Sequence, residues 1–246
     1  MKAMVFAAGL GTRLRPLTND RPKALVEIGG STLLEIALRR LRSFGVTDVI
    51  VNVHHFADKV TDYLRSRDFG MRIEISREDV LLDTGGGLKK AMWFFLEDGG
   101  EEPFIVHNVD VLSAIDLHGM LAYHKQHNAL ATLAVQQRTT SRYLLFDDRL
   151  QLCGRRAGEK GDEEIVCDSS VRQALAFSGI HVISPRLLSR ITEEGVFSII
   201  PVYLRLAAAG EKIVGMRNDG VYWRDLGKLE HIAQAERDVT DGRVVL

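Results

Sequence analysis

Two arginines, a lysine and two widely separated aspartates are the side chains whose setting suggests chemistry. The run Val5-Phe6-Ala7-Ala8-Gly9-Leu10-Gly11-Thr12-Arg13-Leu14-Arg15-Pro16-Leu17-Thr18 carries an apolar stretch into a glycine turn, and Pro22-Lys23-Ala24-Leu25 follows shortly after. Glycines let backbone N–H groups converge on an anion with no Cβ in the way. Guanidinium groups fork onto phosphate oxygens, and an ammonium is a compact positive charge. The pattern reads as a polyphosphate cradle at the end of the first strand. Arg13 would grip a departing pyrophosphate, and Lys23, fixed by Pro22, would hold the phosphate on which charge develops. Arg15 fits a solvated or structural place equally well. Gly9-Leu10-Gly11 alone would be an ordinary turn; the continuation through Lys23 argues otherwise. Two other phosphate motifs do not fit. A dinucleotide fingerprint needs glycine where Leu14 stands, and the Gly227-Lys228 pair precedes Leu229 rather than Ser or Thr.

Asp110 follows the apolar run Phe104–His107, with Asn108 and Val109 before it. A carboxylate at a strand's C-terminal end in a phosphate site suits Mg²⁺, which takes one or two carboxylates plus phosphate oxygens and waters. A turn-forming Asn/Asp pair is an equal reading of the same residues. Asp225, by itself, reads as a solvated turn aspartate after a short strand around 221–223. Asp83-Thr84-Gly85-Gly86-Gly87 opens a helix that Thr84 can cap, and its glycines would let a flat base or ribose approach. A plain glycine-rich helix start is the alternative. His54-His55 has no further His/Cys pattern to make a metal site and is read as a strand end. His107 is expected to pack within its strand, and Trp93, Phe94 and Phe95 to belong to the core.

Residues 9–25 match G-x-G-T-R-[LM]-x-P-L-T followed by P-K-[AP]-L, the pattern of the sugar-1-phosphate nucleotidyltransferases. Asp83–Gly87, Asn108-Val109-Asp110, Phe177-Ser178-Gly179-Ile180 and Trp223-Arg224-Asp225-Leu226-Gly227 follow in that family's order. The chain resembles this family over nearly its whole length. Within the family it is most similar to the short bacterial members, such as the N-acetylmuramate-1-phosphate uridylyltransferases. The resemblance implies a nucleotide site of Ala7, Ala8, Gly9, Gly11, Thr12, Arg13, Lys23, Thr84, Gly85, Gly86 and Asn108, with Glu78 reading the base edge. It implies a sugar site of Asn108, Phe177, Ser178 and Gly179. Asp225 would join Asp110 in holding Mg²⁺, and the catalytic set would be Arg13, Lys23, Asp110 and Asp225. Two departures stand out. Val109 replaces the family's glycine, and the Val-Glu-Lys-Pro segment of longer relatives is absent, with Arg138, Arg142, Asp147 and Asp148 nearby instead.

The implied reaction joins an NTP to a sugar 1-phosphate, giving a nucleotide sugar and pyrophosphate. UTP with an amino-sugar or hexose 1-phosphate is the first expectation, and GTP with mannose 1-phosphate the alternative. A non-catalytic nucleotide-sugar sensor is the rival of another class. Such a chain would lose the arginine, the lysine or an aspartate, and all are present.

The elements that must position these groups are legible from periodicity. Residues 3–8 form a continuous apolar run, as in a strand buried on both faces of a parallel sheet. Residues 31–44 have helical spacing, with Ser31 or Thr32 as cap. Further strands are expected at 49–53, 71–76 and 104–107, with helices at 56–66 and after Thr84. This alternation predicts an α/β, Rossmann-like three-layer αβα fold with a mostly parallel sheet and a site at the strands' C-terminal ends. The second half adds β segments at 130–135, 143–146 and 176–183 and helices at 185–193, 198–209 and 228–238. Residues 154–164 read as an exposed loop. One domain, 1–246, is expected, with a nucleotide half (1–128) and a smaller β-containing sugar half (129–246).

At 246 residues the chain can bury about 70% of its unfolded surface. Its 32 basic and 33 acidic side chains suggest neither a nucleic-acid nor a membrane surface. Cys153 and Cys167 are too few for a disulfide framework and suit a reducing cytosol. The first apolar run is broken by Gly9 and Arg13, unlike a signal peptide. A cytoplasmic protein is expected, whether monomer or homo-oligomer, whose partners are the NTP and the sugar 1-phosphate.

Overall fold

The structure, a computed structural model, describes residues 1–97, 99–244 and 246. In chain order the strands and helices of the first half are β1 (Lys2–Phe6), β2 (Glu27–Ile28), β3 (Ser31–Thr32), α1 (Leu33–Ser43), β4 (Asp48–Val53), α2 (Ala57–Arg65), β5 (Arg72–Arg77), α3 (Asp83–Lys90), α4 (Met92–Leu96), β6 (Phe104–Asn108), β7 (Val111–Ser113) and α5 (Leu117–His127). The second half holds β8 (Ala131–Gln136), β9 (Arg142–Phe146), β10 (Leu152–Ala157), β11 (Glu163–Ile165), β12 (Gln173–Ile183), α6 (Ile199–Ala208), β13 (Ile213–Arg217), β14 (Trp223–Asp225) and α7 (Leu229–Thr240).

Strands β6, β1, β4 and β5 lie side by side in that order, all parallel. Each of their connections runs through a helix, as parallel pairing requires. Period-two alternation then splits the apolar side chains between two cores. Ala3, Val5, Val49, Val51 and Ile105 pack with α1, α2, α5 and α7 on one face. Met4, Ile50, Phe104 and Val106 pack with α3, α4 and α6 on the other. The result is a three-layer αβα architecture. Each fully buried Phe or Leu in these layers contributes about 1.5–3 kcal/mol. Helix α1 starts where the sequence places it: Thr32 Oγ1 accepts the Glu35 N–H at 3.1 Å, a cap that stabilises by about 1 kcal/mol.

Strand β12 joins the halves. Its residues 180–183 pair antiparallel with β6, residues 173–176 pair with β9, and its other edge pairs with β8. Where it passes from β6 to β9, around residues 177–179, the sheet splays open beyond the C-terminal end of β6. Residues 177–179 line a cavity there.

Three expectations are corrected. Residues 154–164 are not simply a loop: β10 and β11 form an antiparallel hairpin, Gly154 opposite Ile165. Helix α5 was not foreseen, although Asp116 caps it by accepting the His118 N–H and Asn128 ends it at φ +45°. Cys153 and Cys167 are bonded to each other, so cysteine usage lends no support to a reducing compartment. No helix among the described residues is long and apolar enough to cross a membrane.

Candidate active site

The glycine turn after β1 is shaped by its own sequence. Gly11 lies at φ +65°, a conformation that a Cβ would strain. Its carbonyl accepts the Thr18 hydroxyl at 2.8 Å and the Leu14 N–H at 2.9 Å. A Cβ on Gly11 would stand 3.1 Å from Lys23 Cβ, so the absent side chain is what lets the lysine segment close against the turn. A Cβ on Gly9 would meet nothing within 4 Å, because that position faces open cavity. Ala7 is held from below, its N–H donating to Asn52 Oδ1 at 2.8 Å. Phe6, Ala7, Ala8, Gly9, Leu10, Gly11, Thr12 and Arg13 line one wall of a cavity of about 550 Å³, together with Lys23, Asn108 and Asp110.

Pro22 starts a single tight turn over Lys23–Leu25, closed by the Leu25 N–H on the Pro22 carbonyl at 3.0 Å. Lys23 is only 8% exposed, and its ammonium forms an ion pair with Asp110. Asp110 sits in the turn between β6 and β7. The antiparallel pair β7–β14 sets Asp225 opposite Val111, and the Leu226 N–H donates to the Asp110 carbonyl at 2.8 Å. Two carboxylates 115 positions apart in sequence are thus drawn to one place by a three-residue ladder. Asp225 is oriented by the Gly227 N–H on its Oδ1 at 2.9 Å. The guanidinium of Arg13 lies beside Gly227, where a Cβ would come within 2.8 Å of it. Val109, in the family's glycine position, does not have a positive φ. It is buried in the core, and its N–H donates to the Phe6 carbonyl at 3.1 Å. The valine costs the loop nothing.

Among the described residues no group of three or more His, Cys, Asp or Glu is arranged to hold a metal ion. Asp110 and Asp225 line one cavity as a pair of hard oxygen donors. That donor set fits Mg²⁺ completed by phosphate oxygens and waters, not an all-protein cage.

The Asp83–Gly87 run has a different task from the one expected. Thr84 does not cap its own helix; its hydroxyl accepts the Ile199 N–H at 3.0 Å and so caps α6. Gly85 and Gly86 do not line the cavity. Both N–H groups donate to the Phe197 carbonyl, at 2.9 and 3.1 Å, and Cβ atoms on these glycines would come within 2.4 Å of Phe197 and of the Gly195 carbonyl. The glycines make room for protein. Glu78 is buried behind Asn52, which lines the cavity: it accepts Asn52 Nδ2 at 2.7 Å and the Leu82 N–H at 2.9 Å. Its carboxylate braces the loop. Asp83, by contrast, lines the cavity at the strained φ of +59° and was overlooked.

A second cavity, of about 940 Å³, adjoins the first and shares Arg13, Asp83, Thr84, Asn108 and Asp110 with it. Phe177, Ser178, Gly179, Trp223 and Asp225 line it on one side; Arg138, Arg142, Tyr143, Arg155 and Arg156 line it on another. Gly179 is at φ +74°, and a Cβ there would stand 2.8 Å from Asn108 Nδ2. The Ser178 carbonyl accepts Trp223 Nε1 at 2.8 Å. Arg138 lies over the Trp223 ring, 3.7 Å from its centroid, and donates to the Phe177 carbonyl. Burial pushes the Arg138 pKa down, and Asp225 pulls it back up. Asp147, offered by sequence as a sugar-side group, instead accepts the Gln151 and Arg149 N–H groups of its own turn. Arg155 and Arg156 belong to the hairpin that was read as a loop, which is why they were missed.

The histidines stay structural. His54 Nδ1 donates to the Glu78 carbonyl. His107 is fully buried, its pKa pushed down by desolvation to about 4.

These contacts set the shape of a site without saying what family it belongs to. The nucleotidyl transferase family model matches residues 2–242. The chain belongs to the nucleotidyl transferase family. This nucleotidyltransferase is 37% identical over 242 residues to the N-acetylmuramate alpha-1-phosphate uridylyltransferase of Caulobacter vibrioides, covering 92% of this chain and 91% of that one. It is 30% identical to the protein of the same name from Neisseria meningitidis serogroup B, covering 96% and 97% of the two chains. Its fold is that of HddC from Yersinia pseudotuberculosis, with a TM-score of 0.77 over 97% of this chain and 99% of that one at 21% identity. The nucleotidyltransferase is therefore an enzyme, and the non-catalytic sensor is set aside.

Proposed function

We propose that this nucleotidyltransferase condenses UTP with an amino-sugar 1-phosphate, N-acetylmuramate 1-phosphate before others, to give a UDP-sugar and pyrophosphate. One observation carries the reading: two adjoining cavities share Arg13, Asn108 and Asp110, so a triphosphate in the first and a sugar phosphate in the second would meet at those residues. The Caulobacter and Neisseria relatives supply the substrate names. Mannose-1-phosphate guanylyltransferases are also similar, at 29% identity for one from rice, and GTP with mannose 1-phosphate is the second reading.

The Gly9–Arg13 turn receives the β- and γ-phosphates, with Arg13 forked onto the pyrophosphate that will leave. Lys23 leaves its pairing with Asp110 to face the α-phosphate. A sugar-phosphate oxygen attacks the α-phosphorus in line; the new P–O bond forms as the bond to the β-phosphate bridge breaks, and the electron pair departs with pyrophosphate. No base is needed, because the attacking oxygen is already anionic. Catalysis is positioning plus charge stabilisation. Mg²⁺, held by Asp110 and Asp225, would screen the repulsion between the two anions. Asn108, Phe177, Ser178 and Gly179 bound the sugar, residues 1–128 supplying most of the nucleotide site and 129–246 most of the sugar site. We place the reaction in the cytoplasm, where nucleoside triphosphates are made, with nucleotide-sugar supply to the cell envelope as its use.

The deciding experiment is pyrophosphate release from a matrix of four NTPs and a panel of sugar 1-phosphates with Mg²⁺. UTP with N-acetylmuramate 1-phosphate should give the highest kcat/KM. Preference for GTP and mannose 1-phosphate would replace the first reading with the second.

A further inference from the structure

The first cavity is lined by both polar and apolar side chains. Arg13, Lys23 and Asp110 supply charge, and Leu10, Leu81 and Val196 are among its apolar lining side chains, with Phe6, Leu14 and Val109. Val196 is 64% exposed and Leu10 43% exposed. Single exposed apolar residues are common, but Val196 is presented by a braced turn. Gly195, at φ +72°, sends its carbonyl onto Gly86. The Phe197 N–H donates to the Leu82 carbonyl at 3.2 Å, and its carbonyl receives the Gly85 and Gly86 N–H groups. Lys89 Nζ donates to the Glu193 carbonyl at 2.7 Å. The side chain between these anchors has no core to enter and lines the cavity.

We infer that residues 195–197, supplied by the second half of the chain, are a wall of the nucleobase slot, with Val196 and Leu10 covering the faces of the base. The inference rests on the proposed NTP reading and names residues that reading does not. A base has apolar faces and needs apolar cover continuous with the phosphate turn, and these are the exposed side chains that offer it. It also explains the glycine run of α3. The glycines do not touch the base; they seat the turn that does. Val196 is a specificity-determining side chain, remote from the reacting phosphorus.

The test compares UTP with inorganic tripolyphosphate, which has the phosphates and no base. Binding of each with Mg²⁺ is measured by calorimetry on the full chain and on Val196→Asn. Losing the cover of one valine should weaken UTP about tenfold, with tripolyphosphate changing less than twofold and the thermal midpoint unmoved. Unchanged UTP binding by a folded Val196→Asn chain would overturn the wall, as would equal weakening of both ligands. A wild-type chain that binds UTP no more tightly than tripolyphosphate overturns it too. If the wild type binds UTP yet releases no pyrophosphate with any sugar 1-phosphate, the proposed reaction fails, and the UTP-to-tripolyphosphate ratio still decides the wall.

Discussion

The two cavities of this enzyme are built in opposite ways. The first cavity, proposed for the nucleotide, takes nearly half of its lining from one turn, residues 6–14. The second cavity, proposed for the sugar, is lined by side chains from β9, β10, β11, β12, β14 and the start of α6, and most of these elements reach it only through tertiary pairing. A cradle for phosphate can be local, because phosphate is the same in every substrate and main-chain geometry suffices. A sugar pocket must be assembled from afar, because discrimination needs side chains aimed from several directions. Between the two lie the shared residues, Asp110 among them, and its ion pair with Lys23 of the first cavity is the hinge of the comparison.

The largest effect should come from breaking that ion pair. Lys23→Ala or Asp110→Asn should lower the rate of pyrophosphate release by about 10²-fold or more with every sugar 1-phosphate alike, while circular dichroism stays native. A loss confined to one sugar would move these residues into the sugar cavity alone. Gly179→Ala comes next. It forces a Cβ into the left-handed region and against Asn108, so stability should fall by about 1–3 kcal/mol and the KM for sugar 1-phosphate should rise. If the dissociation constant of UTP rose as much, the division of labour between the cavities would not hold.

The Cys153–Cys167 bond ties β10 to the segment after β11, and residues of that hairpin line the second cavity. Cys153→Ser with Cys167→Ser, or reduction of the wild type, should remove up to about 3 kcal/mol of stability for a loop of this size. The KM for sugar 1-phosphate should rise several-fold with UTP binding unchanged, read by steady-state kinetics in each substrate. Equal kinetics in both redox states would show that the hairpin is a passive wall.

The smallest effect is a pH slope common to both halves. His107, His124 and His181 are buried, and desolvation pushes their pKa values down to about 4, 4 and 3. The unfolded chain takes up these protons near pH 6.5 and the folded chain does not, so folding stability must decline as pH falls from about 6.5 towards 4. The thermal midpoint should already drop between pH 7 and 5, before carboxylates titrate. His181, whose Nδ1 lies 2.7 Å from the Tyr203 hydroxyl, sits under the sugar cavity. A flat midpoint over that range would mean these imidazoles are hydrated.

How much was legible follows the same divide. The parallel strands announced themselves as apolar runs because each is buried on both faces. The phosphate turn announced itself because Gly11, Thr18 and Lys23 must meet within a dozen residues. The glycine run misled: glycine signals close approach but not of what, and here the approaching group is Phe197 and not a base. Helix α5 was signalled by Asp116 and Asn128, yet it lacks a clean apolar stripe. The β10–β11 hairpin was hidden by its charges, which pair across strands, Arg155 with Glu164 at 2.6 Å.

What the amino-acid order determined by itself was the local geometry: a glycine turn closed by Thr18, a proline-fixed lysine, a capped α1 and strands buried enough to lie parallel. What only the tertiary structure decided was which distant groups share a cavity. Asp225 joins Asp110 through the three-residue pairing of β7 with β14, and Val196 reaches the nucleotide cavity because α3 lacks side chains where its turn is seated. The physical reason is range. Backbone sterics and capping act within a few residues, and the meeting of residues a hundred positions apart is set by the burial of two apolar layers against one sheet.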